Sequence, residues 1–92
     1  MKLIYISRTD ATSYDEYDSA VVAAETEQDA QKTHPAGEYE WNEETERWVR
    51  KSDRRSSDWG EWLDPKKVEV EYIGEAKKGT KAGVICASFN AG

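Results

Sequence analysis

Cysteine, histidine, proline and methionine are nearly absent from this chain: it has one Cys, one His, one Met and two Pro in 92 residues. A lone Cys86 excludes an internal disulfide and the paired thiolates of zinc or dithiol redox sites, and suits a reducing compartment. A lone His34 leaves no second imidazole for a metal set or a histidine relay. No stretch approaches the roughly 18 apolar residues of a membrane span, and Met-Lys-Leu-Ile-Tyr is too short for the apolar region of a signal peptide. The expectation is a soluble protein of the cytoplasm.

Ninety-two residues suffice for one domain, residues 1–92, whose core is small enough that each large side chain counts. Four Trp, five Tyr and one Phe supply the apolar mass such a core otherwise lacks. The net charge is −6, unevenly divided. Between residues 10 and 31 lie seven carboxylates, Asp10, Asp15, Glu16, Asp18, Glu25, Glu27 and Asp29, with no Lys or Arg among them. The main basic cluster of the second half is Arg47, Arg50, Lys51, Arg54 and Arg55, interrupted by Asp53. Binding to DNA or RNA needs a dense positive face, so direct nucleic-acid binding is not expected.

Lys2–Arg8 is rich in β-branched and aromatic residues and reads as a buried strand. Thr9–Asp18 has the composition of a loop, and Ala20–Ala24 that of a short apolar strand. Thr26-Glu-Gln-Asp29 is close to a capping box and predicts a helix start; Pro35 ends that helix and puts His34 in its last turn, where a cation complements the dipole. Residues 38–50 alternate around a tip at Asn42–Thr45 and predict a hairpin, with Glu38 and Glu40 facing Arg47, Arg50 and Lys51. Residues 51–60 predict a mobile loop. Lys67–Ile73 alternates Val68, Val70 and Tyr72 against Glu69 and Glu71, as a strand with one wet face does. Gly74–Gly79 reads as a charged turn, and the apolar run Gly83–Phe89 as an interior strand in which Cys86 is a small buried hydrophobe. The fold class is α+β: an antiparallel sheet of four or five strands, one short helix on one face, and a Trp-rich hairpin.

No pattern announces catalysis, and the chain is read as not an enzyme, with no catalytic residues, no metal and no cofactor. Asp15, Glu16 and Asp18 lack the central Gly and terminal Glu of a calcium loop. Gly79-Thr-Lys-Ala-Gly83 does not match a phosphate loop and leads into a strand. Trp41, Trp48, Trp59 and Trp62 fall within 22 residues. They are read both as a satellite core beneath the hairpin and as an interface, since Trp, Tyr and Arg recur at binding hot spots. Trp41 and Trp62 have the spacing of a WW domain, but Arg50, Lys51, Ser52 and Asp53 stand where that family has consecutive aromatics. That family is rejected.

The segments Arg8–Pro35, with its Tyr14-Asp-Glu-Tyr-Asp18 block and His34-Pro35, and Val68–Gly92, with Gly74-Glu-Ala76 and Ala87-Ser-Phe-Asn90, resemble a family of short bacteriophage and prophage proteins. The resemblance implies a small phage-type protein that binds and inhibits or redirects a host protein. Counter-defence against a nucleic-acid-binding complex, such as CRISPR or restriction machinery, is the class it suggests. Carboxylates gathered on one exposed side would then mimic nucleic acid before a positive groove. The expected partner-binding residues are Asp10, Asp15, Glu16, Asp18, Glu25, Glu27, Asp29, Trp41, Trp48, Trp59 and Trp62. The alternatives are a small-ligand or nucleotide-binding module, with a pocket between sheet and hairpin, and a virion-associated structural protein.

Overall fold

The computed structural model describes residues 1–10, 16–52 and 62–90. Asp15, Trp59 and most of the predicted 51–60 loop lie outside the described residues. The chain forms β1 (Lys2–Ser7), β2 (Glu16–Ala24), α1 (Glu27–Gln31), β3 (Tyr39–Asn42), β4 (Arg47–Arg50), a 3-10 turn (Pro65–Lys67), β5 (Glu69–Glu75) and β6 (Gly83–Asn90). It is mostly antiparallel sheet with one short helix: a four-stranded sheet of order β5-β1-β2-β6 and a two-stranded sheet β3-β4.

The centre of the large sheet is built from the two most apolar early segments. β1 and β2 pair with Ile4 opposite Val22 and Ile6 opposite Ala20. All four side chains are buried, and they share one face because side chains alternate along a strand. β5 adds Val70 beside Ile6, and β6 adds Val84 beside Val22. Thr26 caps α1 by accepting the Asp29 N–H at 3.0 Å, as its spacing predicts. The helix is a single turn and a half ending at Gln31, so His34 lies beyond it. Ala30 drops into the cluster formed by Ile4, Ile6, Val22, Tyr39, Trp48, Trp62 and Val68.

The hairpin runs in register Tyr39↔Arg50, Glu40↔Val49, Trp41↔Trp48 and Asn42↔Arg47. Its tip is one residue later than the composition suggests: Asn42 belongs to the strand, and its Oδ1 accepts the N–H groups of Glu44 and Thr45 at 2.9 and 3.0 Å. Glu46 takes the left-handed conformation, φ 54°, that closes the turn. An exposed ion pair, Lys32 to Glu43 at 2.7 Å, joins the end of α1 to this tip.

Three expectations are corrected. β2 begins at Glu16 rather than Ala20, so Glu16, Tyr17 and Asp18 are strand and not loop. β6 is an edge strand with Ile85, Cys86, Ala87 and Ser88 exposed, not an interior strand, and Cys86 is an exposed thiol rather than a buried hydrophobe. Tyr72 keeps the face of Val70, opposite Ile4, but is half exposed there instead of lining the core, and the β1–β5 ladder shifts register just beyond it, at Ile73.

Candidate functional site

The described carboxylates of the acidic strip do not gather. Asp18 stands near the start of β2 and Glu25 just past its end; seven residues of extended chain separate them by about 23 Å. Asp10 and Asp18 therefore sit at the end of the sheet where β1 finishes, and Glu25, Glu27 and Asp29 at the opposite end. Glu25, Glu27 and Asp29 are exposed. Glu16 is placed in β2 opposite Asn90.

Asp10 is not available as a bare charge either. Arg8 donates from Nε to Oδ1 at 2.6 Å and from Nη2 to Oδ2 at 3.1 Å, a bidentate clamp. Its hydrogen bonds hold the Asp10 carboxyl below its ordinary pKa, with burial opposing and the Arg8 charge adding to the effect. The same guanidinium donates from Nη1 to the Tyr17 carbonyl at 3.2 Å and lies 5.8 Å from the centre of the Trp62 ring. The Arg8 backbone N–H bonds the Asp18 carbonyl at 3.1 Å. Arg8 thus ties together β1, β2 and Trp62, a role that nothing in its spacing revealed.

The tryptophans divide by burial. Trp48 and Trp62 are each 6 % exposed and belong to the core. Rings so covered by their own chain offer a partner little surface. Trp41 is half-buried and meets Trp48 edge-on, 5.3 Å between centroids. Trp48 also donates its indole N–H to the Leu63 carbonyl at 3.0 Å, pinning the hairpin to the segment after residue 61.

At the heart of this aromatic layer is His34, 1 % exposed. Tyr39 lies 4.6 Å from its ring, Trp48 5.1 Å and Tyr17 6.3 Å. Its Nδ1 accepts the Ala36 N–H at 3.0 Å, so in the neutral ring the proton resides on Nε2. His34 is thus a core side chain that folds the turn closed by Gly37 N–H to its own carbonyl, 2.9 Å. The signal was present in the following Pro35 and in Gly37, whose φ of 77° glycine tolerates best.

Two of the concavities among the described residues adjoin the sheet. A shallow one of about 340 Å³ lies along β1 and β5, lined by Tyr5, Ser7, Glu69, Val70 and Glu71. It adjoins the sheet face opposite Ile4 and Ile6, where the register sets Tyr5 beside Glu71 and Val21, and Ser7 beside Glu69 and Ser19. Tyr5 is 37 % exposed, and Glu69 and Glu71 are exposed. This acidic and aromatic patch comes from the two ends of the chain, so no contiguous run displayed it. The other concavity, about 390 Å³, opens between the hairpin and β6, with His34, Tyr39, Glu40 and Lys51 on one side and Gly83 and Val84 on the other.

Among the described residues no group of three or more His, Cys, Asp or Glu is placed to hold a metal ion, and no helix is long and apolar enough to cross a membrane. Compared with known proteins, the chain matches no family model, no curated sequence and no solved structure.

Proposed function

We propose that this chain is a small accessory protein of phage type that binds a host protein and inhibits or redirects it, without catalysis of its own. The helix and the aromatic layer pack on the Ile4–Ile6 face of the sheet, and contact is made through the other face. The observation that carries this reading is the placement of Tyr5 beside Glu71 on a face where Ser7, Ser19, Glu69, Val21 and Cys86 are its register neighbours, with no Lys or Arg among them. A partly exposed tyrosine flanked on one side by Glu69 and Glu71 suits a basic surface, where charge steers approach and the ring supplies contact area. A nucleic-acid-binding defence complex offers such a surface, so counter-defence is the function proposed. The acidic face is the one built by Glu69 and Glu71, rather than the dispersed strip from Asp10 to Asp29.

The test is capture from bacterial lysate at low salt with the wild-type chain and with a Glu69→Lys/Glu71→Lys variant. A saturable protein partner, lost in the variant and at high salt, is expected. No saturable partner, or one held equally by the variant, overturns the reading.

The cleft beside His34 favours a second reading, a small-ligand module. Its volume falls in the range of small-molecule sites, roughly 300–1,000 Å³, and Lys51 and Tyr39 at its rim suit an aromatic anion. Raised melting temperature with a nucleotide or aromatic acid, lost in Lys51→Glu, distinguishes this reading from the first.

A further inference from the structure

The two edges of the large sheet are chemically unlike. The outer strand β5 carries Glu69, Glu71 and Glu75, all exposed, which repel an incoming strand of another copy. The outer strand β6 carries no charged residue from Gly83 to Asn90. Its exposed side chains are Ile85, Cys86, Ala87 and Ser88, with Ile85 at 52 %. A neutral eight-residue edge with no Lys or Pro is a template for strand addition.

We propose that β6 pairs antiparallel with β6 of a second copy of this chain, joining two four-stranded sheets into one of eight strands. Three observations select this occupant. First, each copy bears a net charge of −6, so two copies repel except along a surface that presents no charge, and β6 is such a strand. Second, the charges flanking β6 are complementary end to end. Lys77, Lys78 and Lys81 are exposed just before its start, whereas its far end pairs with the start of β2, where Asn90 stands opposite Glu16 and Asp18 follows. The two-fold axis of a closed dimer reverses the second strand, which brings the lysine end of each copy to the carboxylate end of the other, twice. The carboxylates of α1 do not interfere, since α1 packs against β2, β5 and β1, and Glu25, just past β2 at the lysine end, offsets only one of the three lysines. Third, the β2–β6 ladder jumps from Val21↔Cys86 to Val22↔Val84, so Ile85 is an extra residue. A second shift falls between Tyr17↔Phe89 and Ser19↔Ser88, so the regular stretch is Cys86 to Ser88, and the axis falls at its centre, Ala87.

An axis perpendicular to the sheet keeps faces together, so the two Tyr5–Glu71 patches lie on one continuous surface. One strand pair buries less than the roughly 1,200 Å² of standard interfaces, so the dimer is weak and concentration-dependent. The inference stands apart from the host-partner reading, because it concerns the purified chain alone.

Sedimentation of the full chain over a concentration series tests it, with Ala87→Glu, Ala87→Lys and their equimolar mixture; Ala87 is exposed, so neither charge enters the core. Wild type should approach twice the chain mass. Each single variant should weaken association by about fivefold or more, and the mixture should restore it by pairing opposite charges across the axis. If Ala87→Glu fails to fold, Ile85→Lys at the bulge takes its place and should remain monomeric. Wild type that stays monomeric to its solubility limit overturns the proposal, as does a dimer that all the single variants form as well as wild type. A monomer that binds an added foreign strand peptide at β6 also overturns it, by naming another occupant.

Discussion

The His34 imidazole lies edge-on to the Trp48 indole, centroids 5.1 Å apart and planes at 85°, so the single histidine and a central tryptophan form one packing unit. Removing the imidazole leaves both a cavity and an unpaired Ala36 N–H. His34→Ala should cost about 2–4 kcal/mol. Denaturant unfolding followed by tryptophan fluorescence measures it, and a loss under about 1 kcal/mol shows that the ring does not hold the layer together.

Trp48 contributes a second, separable bond. Trp48→Phe retains an aromatic ring but leaves the Leu63 carbonyl without its 3.0 Å indole donor. A destabilisation of about 1–2 kcal/mol is expected. Amide exchange should speed up most around Leu63; uniform change across the chain argues against a local anchor.

The clamp of Arg8 on Asp10 makes a small part of stability depend on pH. Its folded pKa lies below the unfolded value, so the stabilisation is present above the ordinary carboxylate range and disappears as pH falls through the lowered pKa. Because the Asp10 side chain is half exposed, solvent screening limits the effect to about 0.5 kcal/mol. Asp10→Asn should therefore be slightly less stable than wild type at neutral pH and equal to it in strong acid. Equal stability at both ends would remove the clamp from the account.

Cys86, on the edge strand, is exposed. A maleimide or disulfide reagent should label it fully in the native state, at nearly the rate seen in denaturant. This holds for the dilute monomer; protection that persists on dilution would mean that the chain's own residues cover Cys86.

The cap at Thr26 is the simplest case. Thr26→Ala deletes the acceptor of the Asp29 N–H and should cost about 1 kcal/mol, while Thr26→Ser should cost little. Equal losses in both would point to the methyl group instead of the hydroxyl.

Local chemistry was legible in the chain. The β-branched run at Ile4–Ile6 read as a strand, Thr26 as a cap, and the alternation on either side of Asn42–Thr45 as a hairpin, one residue off at its tip, because each depends on neighbours within a few residues. The antiparallel α+β character followed from those periods. What sequence alone did not reveal was every relation set by strand order. A continuous apolar run looks the same at the centre of a sheet and at its rim, so Gly83–Phe89 gave no sign that β1 and β2 would occupy the middle and leave β6 outside. Carboxylates adjacent in the chain separated because β2 is extended, whereas Tyr5 and Glu71, distant in the chain, became neighbours through the β1–β5 ladder. His34 and Arg8 likewise drew their roles from side chains that only the packed core brings within a few ångströms. The physical reason is range: propensity and capping act over one or two turns of chain, while burial, clamping and exposed edges arise from contacts between segments that the sequence holds far apart.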